Sequence, residues 1–188
     1  MSFGKGWPKN KTAVDEAVKY AMSKDVLLIH AAGNDGKDLD DSTNANFPNP
    51  YYADGSGVAQ AWITVGASGP DDDSTLVASF SNYGKKNVDV FAPGVQIYSS
   101  IPGSKYTYES GTSMASPVVT GLAALIREYY PKLKAAQVKE IIMGSVVKPS
   151  HPVMVDHGKR KVSMSDISVS GGVVNVYQAL QAAATFKR

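Results

Sequence analysis

Gly111-Thr112-Ser113-Met114-Ala115-Ser116-Pro117 leads into the apolar run from Val118 to Ile126, and the rest of the chain arranges itself around that stretch. Val118, Val119, Leu122, Leu125, Ile126 and Tyr129 recur at helical spacing and predict a core helix. Pro117 is tolerated only near a helix start, where its missing N–H costs little, which sets the N-terminus close to Ser113. Gly121, unfavourable inside a helix, implies another backbone passing close by. A glycine-led turn thus delivers the Ser113 hydroxyl to the positive end of a helix, beside free backbone N–H groups that would stabilise an oxyanion. In an isolated Gly-Thr-Ser the same hydroxyl would read as a helix cap.

The heptad has company. Upstream stand Ala31-Ala32-Gly33-Asn34-Asp35-Gly36, Ala78-Ser79-Phe80-Ser81-Asn82-Tyr83-Gly84 and Asp89-Val90-Phe91-Ala92-Pro93-Gly94, then Pro102-Gly103. Downstream are Gln137-Val138 and Gly172-Val173-Val174-Asn175. In order and approximate spacing these segments resemble the C-terminal half of the catalytic domain of the subtilisin-like serine proteases, from Ser2 to about Ala184. The resemblance implies an α/β fold: a doubly wound, mainly parallel sheet with helices on both faces. It implies that Ser113 hydrolyses peptide bonds through an acyl-enzyme and that Asn34 donates its amide N–H to the tetrahedral oxyanion. A turn asparagine would be the reading of Asn34 if Ser113 were absent. Ser2-Phe3-Gly4 would pair with an extended substrate peptide, Gly4 letting its backbone approach. Ala31, Ala32 and Gly33 would leave room for a substrate side chain, and Asn46-Phe47-Pro48 resembles a wall of the specificity pocket. Thr112 joins this substrate-binding set.

The family's mechanism also needs an aspartate in an Asp-Ser/Thr-Gly segment and a histidine in a His-Gly-Thr-x-Val-Ala-Gly segment, both preceding the serine; the order is the one established for subtilisin itself. Neither segment occurs in the 188 residues, and Met1 to Gly4 resembles the substrate-binding strand that follows both. The expectation is one partial peptidase domain over residues 1–188, truncated on its N-terminal side, in which Ser113 lacks a base. Such a chain would bare an apolar sheet edge and one side of the nucleophile helix, and is expected to self-associate to cover them. The alternative is a non-catalytic peptide-binding module, in a pseudo-protease or a swapped assembly, using the same groove.

Composition narrows the partners. The chain is 43% hydrophobic and 19% charged, enough for one domain with a sizeable core. A net charge of +2 comes with no dense basic stripe; Lys85-Lys86 and Lys159-Arg160-Lys161 read as solvated turns, which argues against nucleic acid. The absence of cysteine removes disulfides, zinc fingers and thiol catalysis. No apolar run approaches membrane-spanning length, so no membrane partner is expected, and the first residues lack a signal-peptide core. The resemblance implies protein or peptide substrates and a secreted or cell-envelope location. It requires no cofactor, with structural calcium implied only for the intact enzyme. No metal ligand is assigned. Asp38, Asp40 and Asp41 lack the glycine and bidentate glutamate of an EF-hand loop, and Asp71-Asp72-Asp73 reads as a turn. Near Asp89, where some family members hold a weak cation site, Asn87 and lysines stand where more acid would help.

The remaining elements follow from periodicity. Thr12 and Asp15 have capping-box character and open a helix ending near Lys24, with Val14, Ala17, Val18, Ala21 and Met22 inward. Asp15 then lies on solvated helix surface and is no substitute for the missing aspartate. Asp25 to His30 and Trp62 to Ala67 are near-continuous apolar runs, the pattern of parallel strands buried on both faces, and His30 reads as a packed core histidine. Val95 to Ser100 and Lys105 to Glu109 predict a hairpin turning at Pro102-Gly103. Leu133 to Val146 predicts a helix with Val138, Ile141 and Ile142 inward. Val153 to Val155 and Lys161 to Met164 predict strands around Asp156-His157-Gly158-Lys159, a turn whose His-Gly pair lacks the catalytic context. Asn175 caps a last helix with Val176, Leu180 and Ala183 inward.

Overall fold

In the computed structural model, which describes residues 1–186, Leu28–Ala31 (β1), Trp62–Ser68 (β2) and Val90–Pro93 (β3) form a parallel sheet in the order β1-β2-β3. Ile29 stands opposite Ile63, and Val65 opposite Val90. Every residue of β2 is buried, because the strand lies between two neighbours and is covered on both faces; hence its apolar run without alternation. Four helices accompany the sheet: Lys11–Ser23 (α1), Thr112–Tyr129 (α2), Ala135–Gly144 (α3) and Val176–Thr185 (α4). Two antiparallel hairpins, Ile97–Ile101 (β4) with Lys105–Glu109 (β5) and Val153–Val155 (β6) with Arg160–Val162 (β7), and two short 3₁₀ turns at Ser42–Asn44 and Met164–Asp166 are also present.

The two faces of the sheet are covered differently. Ile29, Ile63, Val65, Ala67, Val90 and Ala92 pack on Ala115, Val119, Leu122 and Ile126 of α2, backed by α3 and α4. Each fully buried valine or isoleucine side chain there contributes about 1.5–3 kcal/mol, the alanines less. On the other face Trp62 meets Val18 of α1, and Phe91 meets Val153 and Val155 of the β6–β7 hairpin. Helices therefore lie on both faces of a parallel sheet, as the α/β reading requires.

Several local expectations change. Pro117 sits well inside α2, where its missing N–H leaves the Ser113 carbonyl without its helical donor. Tyr129 is exposed, and a Cβ on Gly121 would meet open space, so no neighbouring backbone explains that glycine. The cap of α1 is Asn10, whose Oδ1 accepts from Ala13 N at 3.2 Å, and Val14 faces outward. Asp15 is buried rather than solvated: its two oxygens accept from Lys11 Nζ at 2.8 Å and from Ala53 N at 2.7 Å. In α4, Ala179 and Ala183 carry the burial while Val176 is exposed. The outer edge of β1 is not bare either. The Met1 amino group donates to Ile29 O at 2.6 Å and Ala31 N donates to Met1 O at 3.0 Å, which moves the free edge out to Ser2–Gly4.

Candidate active site

β1 ends at Ala31, and the chain leaves the sheet at the carboxyl end of its strands, where open α/β sheets place their sites. Two asparagines hold that exit. Asn46 Nδ2 donates to Ala31 O at 3.2 Å and Ala32 O at 2.8 Å, and Asn82 Nδ2 donates to Ala32 O at 2.9 Å. Asn82 Oδ1 accepts from Asp35 N at 3.1 Å and Lys37 N at 2.9 Å. Gly33 turns between them at φ +100°, and a Cβ there would come within 2.5 Å of Asn82 Nδ2.

The turn delivers Asn34 to the N-terminus of α2. Asn34 Oδ1 accepts from both Thr112 N and Thr112 Oγ1 at 2.9 Å, and Thr112 Oγ1 in turn accepts from Gly33 N at 3.0 Å. With the amide oxygen committed, Nδ2 is the free end of the carboxamide, facing Gly111. Ser113 follows as the second residue of α2, so its own N–H has no helical acceptor. The Ser113 hydroxyl donates to Ser2 O at 2.9 Å. A cavity of ≈ 1050 Å³ brings Phe3, Gly4, Gly33, Asn34, Asn46 and Ser113 onto one surface.

That geometry has counterparts. The profile of the subtilase family, peptidase S8, matches residues 1–171. The chain belongs to the subtilase family. It is 40% identical to subtilisin DY of Bacillus licheniformis over 134 residues, 71% of this chain and 44% of that protein. Against the thermophilic serine proteinase of Bacillus sp. strain AK1 the identity is 45% over 115 residues, 61% of this chain and 24% of that protein. The structure of the subtilase cytotoxin SubAB superposes with a TM-score of 0.76 at 25% identity, covering 97% of this chain and 57% of that one. A protease of Pseudoalteromonas arctica PAMC 21717 gives 0.71 at 26% identity, covering 97% and 50%. The chain spans about half the length of these relatives or less. It is a region of a subtilisin-like serine protease fold, and none of its helices is long and apolar enough to cross a membrane.

Not every expected subtilase site residue lines the cavity. The Ala32 side chain is packed in the opposite-face core, and its carbonyl is taken by Asn46 and Asn82; it offers a substrate nothing. Thr112 does line the cavity, though it is almost wholly buried and its hydroxyl bonds to Asn34 and Gly33. Ser2 presents its carbonyl to Ser113. A Cβ at Gly4 would overlap Asn46 Oδ1, so the glycine makes room for the chain's own side chain before any substrate. Lys5 and Phe47 exchange backbone hydrogen bonds at 3.0 and 2.9 Å and fasten the Ser2–Gly4 segment to the Asn46 wall. Asn82 escapes the sequence reading, although it lies within the quoted Ala78–Gly84 segment; a fully polar amide beside a glycine turn is the available signal.

None of the histidines meets the nucleophile. His30 is buried in β1, its Nε2 at 2.8 Å from Phe3 O, and burial pushes its pKa down to about 4 despite that bond. It is a core histidine, as its place in an apolar strand predicts. His151 pairs with Asp72 at 2.9 Å, which raises its pKa, and His157 lies 3.1 Å from Asp35 O.

Calcium, implied for the intact subtilase, does not fit the Asp89 segment. Asp89 already faces Lys139 and Thr64 N, and the neighbouring Asn87 gives its amide to Leu39 O and Asp40 Oδ1. The acids of the long loop are spent on backbone: Asp40 accepts from Lys86 N and Asn87 N, and Asp41 from Thr43 N. Among the described residues no three histidine, cysteine or acidic side chains converge on one point.

Proposed function

We propose that this chain is the serine-bearing part of a subtilisin-like endopeptidase domain, with Ser113 as nucleophile and with Asn34 Nδ2 and Ser113 N–H as the oxyanion donors. The observation that carries it is the double grip of Thr112 on Asn34 Oδ1, which turns the amide N–H₂ toward the end of α2 where Ser113 stands. A tetrahedral intermediate formed on Ser113 would place its oxyanion among preorganised donors that need no rearrangement. An extended peptide would lie along Ser2–Gly4, with a side chain in the cavity beside Gly33 and Asn46. The base and its aspartate come from outside these 188 residues, since Ser113 Oγ bonds to a backbone carbonyl and an unassisted hydroxyl is a poor nucleophile. Removing the histidine alone costs about 2 × 10⁶ in turnover in subtilisin. The substrates are proteins or peptides and the working location is secreted or cell-envelope, as for the family. The isolated chain associates with itself through the Ser2–Gly4 edge and one side of α2, the nucleophile helix.

The chain alone is expected to show no Ser113-dependent peptide hydrolysis and no labelling by a serine-directed phosphonate. Co-folding with the N-terminal half of a subtilase catalytic domain, which carries the aspartate and histidine, is expected to restore both, and Ser113→Ala to abolish them. Binding of peptide without restored labelling would favour the peptide-binding module instead.

A further inference from the structure

Lys139 reaches from α3 to the start of β2, where its ammonium donates to Trp62 O at 2.6 Å and lies 3.0 Å from Asp89 Oδ1. The other oxygen of that carboxylate accepts from Thr64 N at 2.7 Å, and Asp89 N donates to Thr64 O at 2.9 Å. The strand register explains why these groups meet. β2 begins at Trp62, whereas its ladder with β3 begins at the pair Val65 and Val90. Carbonyls two residues apart on a strand point the same way, so Trp62 O faces the β3 side, as Thr64 O does, before that strand has started. No β3 backbone N–H stands opposite Trp62 O, and a buried carbonyl without a donor is costly. The donor must come from elsewhere, and a positive one is favoured because Asp89 brings a carboxylate to the same spot.

A carbonyl oxygen and a carboxylate oxygen converging at a strand end are also the ligands a hard cation takes. Here they open on a cavity of ≈ 160 Å³ lined also by Tyr51, Lys86 and Asn87. We propose that the Lys139 ammonium fills a cation position built from Trp62 O and Asp89, so that this end of the sheet holds together without calcium. The Lys139 and Asp89 side chains are 26% and 14% exposed, which shields the pair from salt. Unlike a free ion, a lysine also ties its helix to the sheet. The site is remote in function from Ser113, so this proposal fails or survives separately from the protease reading.

Thermal unfolding of the whole chain tests it, in calcium chloride, potassium chloride or choline chloride at matched ionic strength, and in chelator. In the wild type, any calcium response is expected to be unchanged by Asp89→Asn. Lys139→Ala is expected to melt about 5–10 °C lower in choline and to recover part of that loss in calcium or potassium. Asp89→Asn placed in the Lys139→Ala background is expected to remove the recovery, and Lys139→Arg to behave as wild type. Lys139→Gln, which keeps a neutral donor for Trp62 O, gives the same comparison if the alanine variant does not fold. The proposal is overturned if the Lys139 variants lose the same stability in every salt, if they lose none, or if the wild type responds to calcium through Asp89.

Discussion

The Thr112 hydroxyl donates to Asn34 Oδ1 at 2.9 Å and, together with Thr112 N, leaves Nδ2 as the free end of the carboxamide, facing Gly111. Thr112→Val keeps the shape and the backbone bond but deletes the hydroxyl that also receives Gly33 N. In the domain reassembled with a subtilase N-terminal half, turnover is expected to fall roughly 10- to 100-fold with KM little changed, because the donor loses alignment and is not removed. Asn34→Leu, which removes it, is expected to approach the 10²–10³ loss known for the same donor in subtilisin, about one order worse. Thr112→Ser is expected to retain most of the rate. Steady-state kinetics on a peptide substrate separates the three; equal losses for Thr112→Val and Asn34→Leu would deny the positioning role.

Gly33 and Gly4 both make room for an asparagine, and their alanine variants are expected to differ. Gly33 combines a left-handed φ of +100° with Asn82 Nδ2 at 2.5 Å from the would-be Cβ, and Asn82 is buried with its amide bonded to Ala32 O, Asp35 N and Lys37 N. Gly33→Ala is expected to cost roughly 1–3 kcal/mol of stability, read from chemical denaturation. At Gly4 the obstacle is the Asn46 side chain, which is only partly buried and can swing aside. Gly4→Ala is expected to cost less than Gly33→Ala, since only the Asn46 bonds to Ala31 O and Ala32 O must give, and to weaken peptide binding in the groove.

His30 gives the fold an acid-sensitive window. In the unfolded chain it titrates near its ordinary value of about 6.5, while burial holds it neutral in the fold down to about 4. Between those values only the unfolded state takes up the proton. The contribution is therefore complete above about pH 6.5 and declines as the pH falls toward 4, by up to about 3 kcal/mol. His30→Gln keeps a donor for Phe3 O and cannot titrate. Urea midpoints compared at about pH 7 and about pH 5 are expected to fall in the wild type and to stay nearly level in the variant.

What the sequence discloses follows from how local each signal is. β2 and α2 carry their burial in runs of adjacent or helically spaced apolar residues, and both stand within two residues of where the pattern puts them. Asp15 defeats the periodic reading because its burial depends on Ala53, 38 positions away, whose N–H it accepts. Periodicity along α1 cannot report a loop folded over its polar side. The site divides the same way. The motifs single out Ser113 and Asn34, but which end of the Asn34 carboxamide is left free is set by Thr112, 78 positions distant. Ala32 illustrates the converse: a small residue in the right motif suggests an open wall, yet the strand's alternation turns its side chain to the far core.

Asp25 joins three elements that are distant in sequence. It occupies a left-handed φ of +57° between α1 and β1, and its Oδ1 accepts from Ala135 N at 2.8 Å, at the start of α3. Its Oδ2 meets Arg127 at 2.7 Å in the last turn of α2, and the same guanidinium donates to Asp25 O at 2.8 Å. The Ala135 N–H first, and Arg127 after it, hold the carboxyl below its ordinary carboxylate range. A group lowered in this way stabilises the fold above its unfolded pKa and loses that effect as the pH falls through the folded value. Its window therefore opens below about pH 4, under that of His30. Asp25→Asn tolerates the same φ and preserves an acceptor for Ala135 N, but removes the charge facing Arg127. The expected cost is about 1 kcal/mol near neutral pH, modest because both side chains are a third exposed. That deficit should shrink progressively as the pH falls below about 4 and the wild-type carboxyl takes up its proton. Arg127→Ala should cost less in the Asp25→Asn background than in the wild type, since only its bond to Asp25 O is then left to lose; fully additive losses in the double-mutant cycle would mean the two side chains act independently.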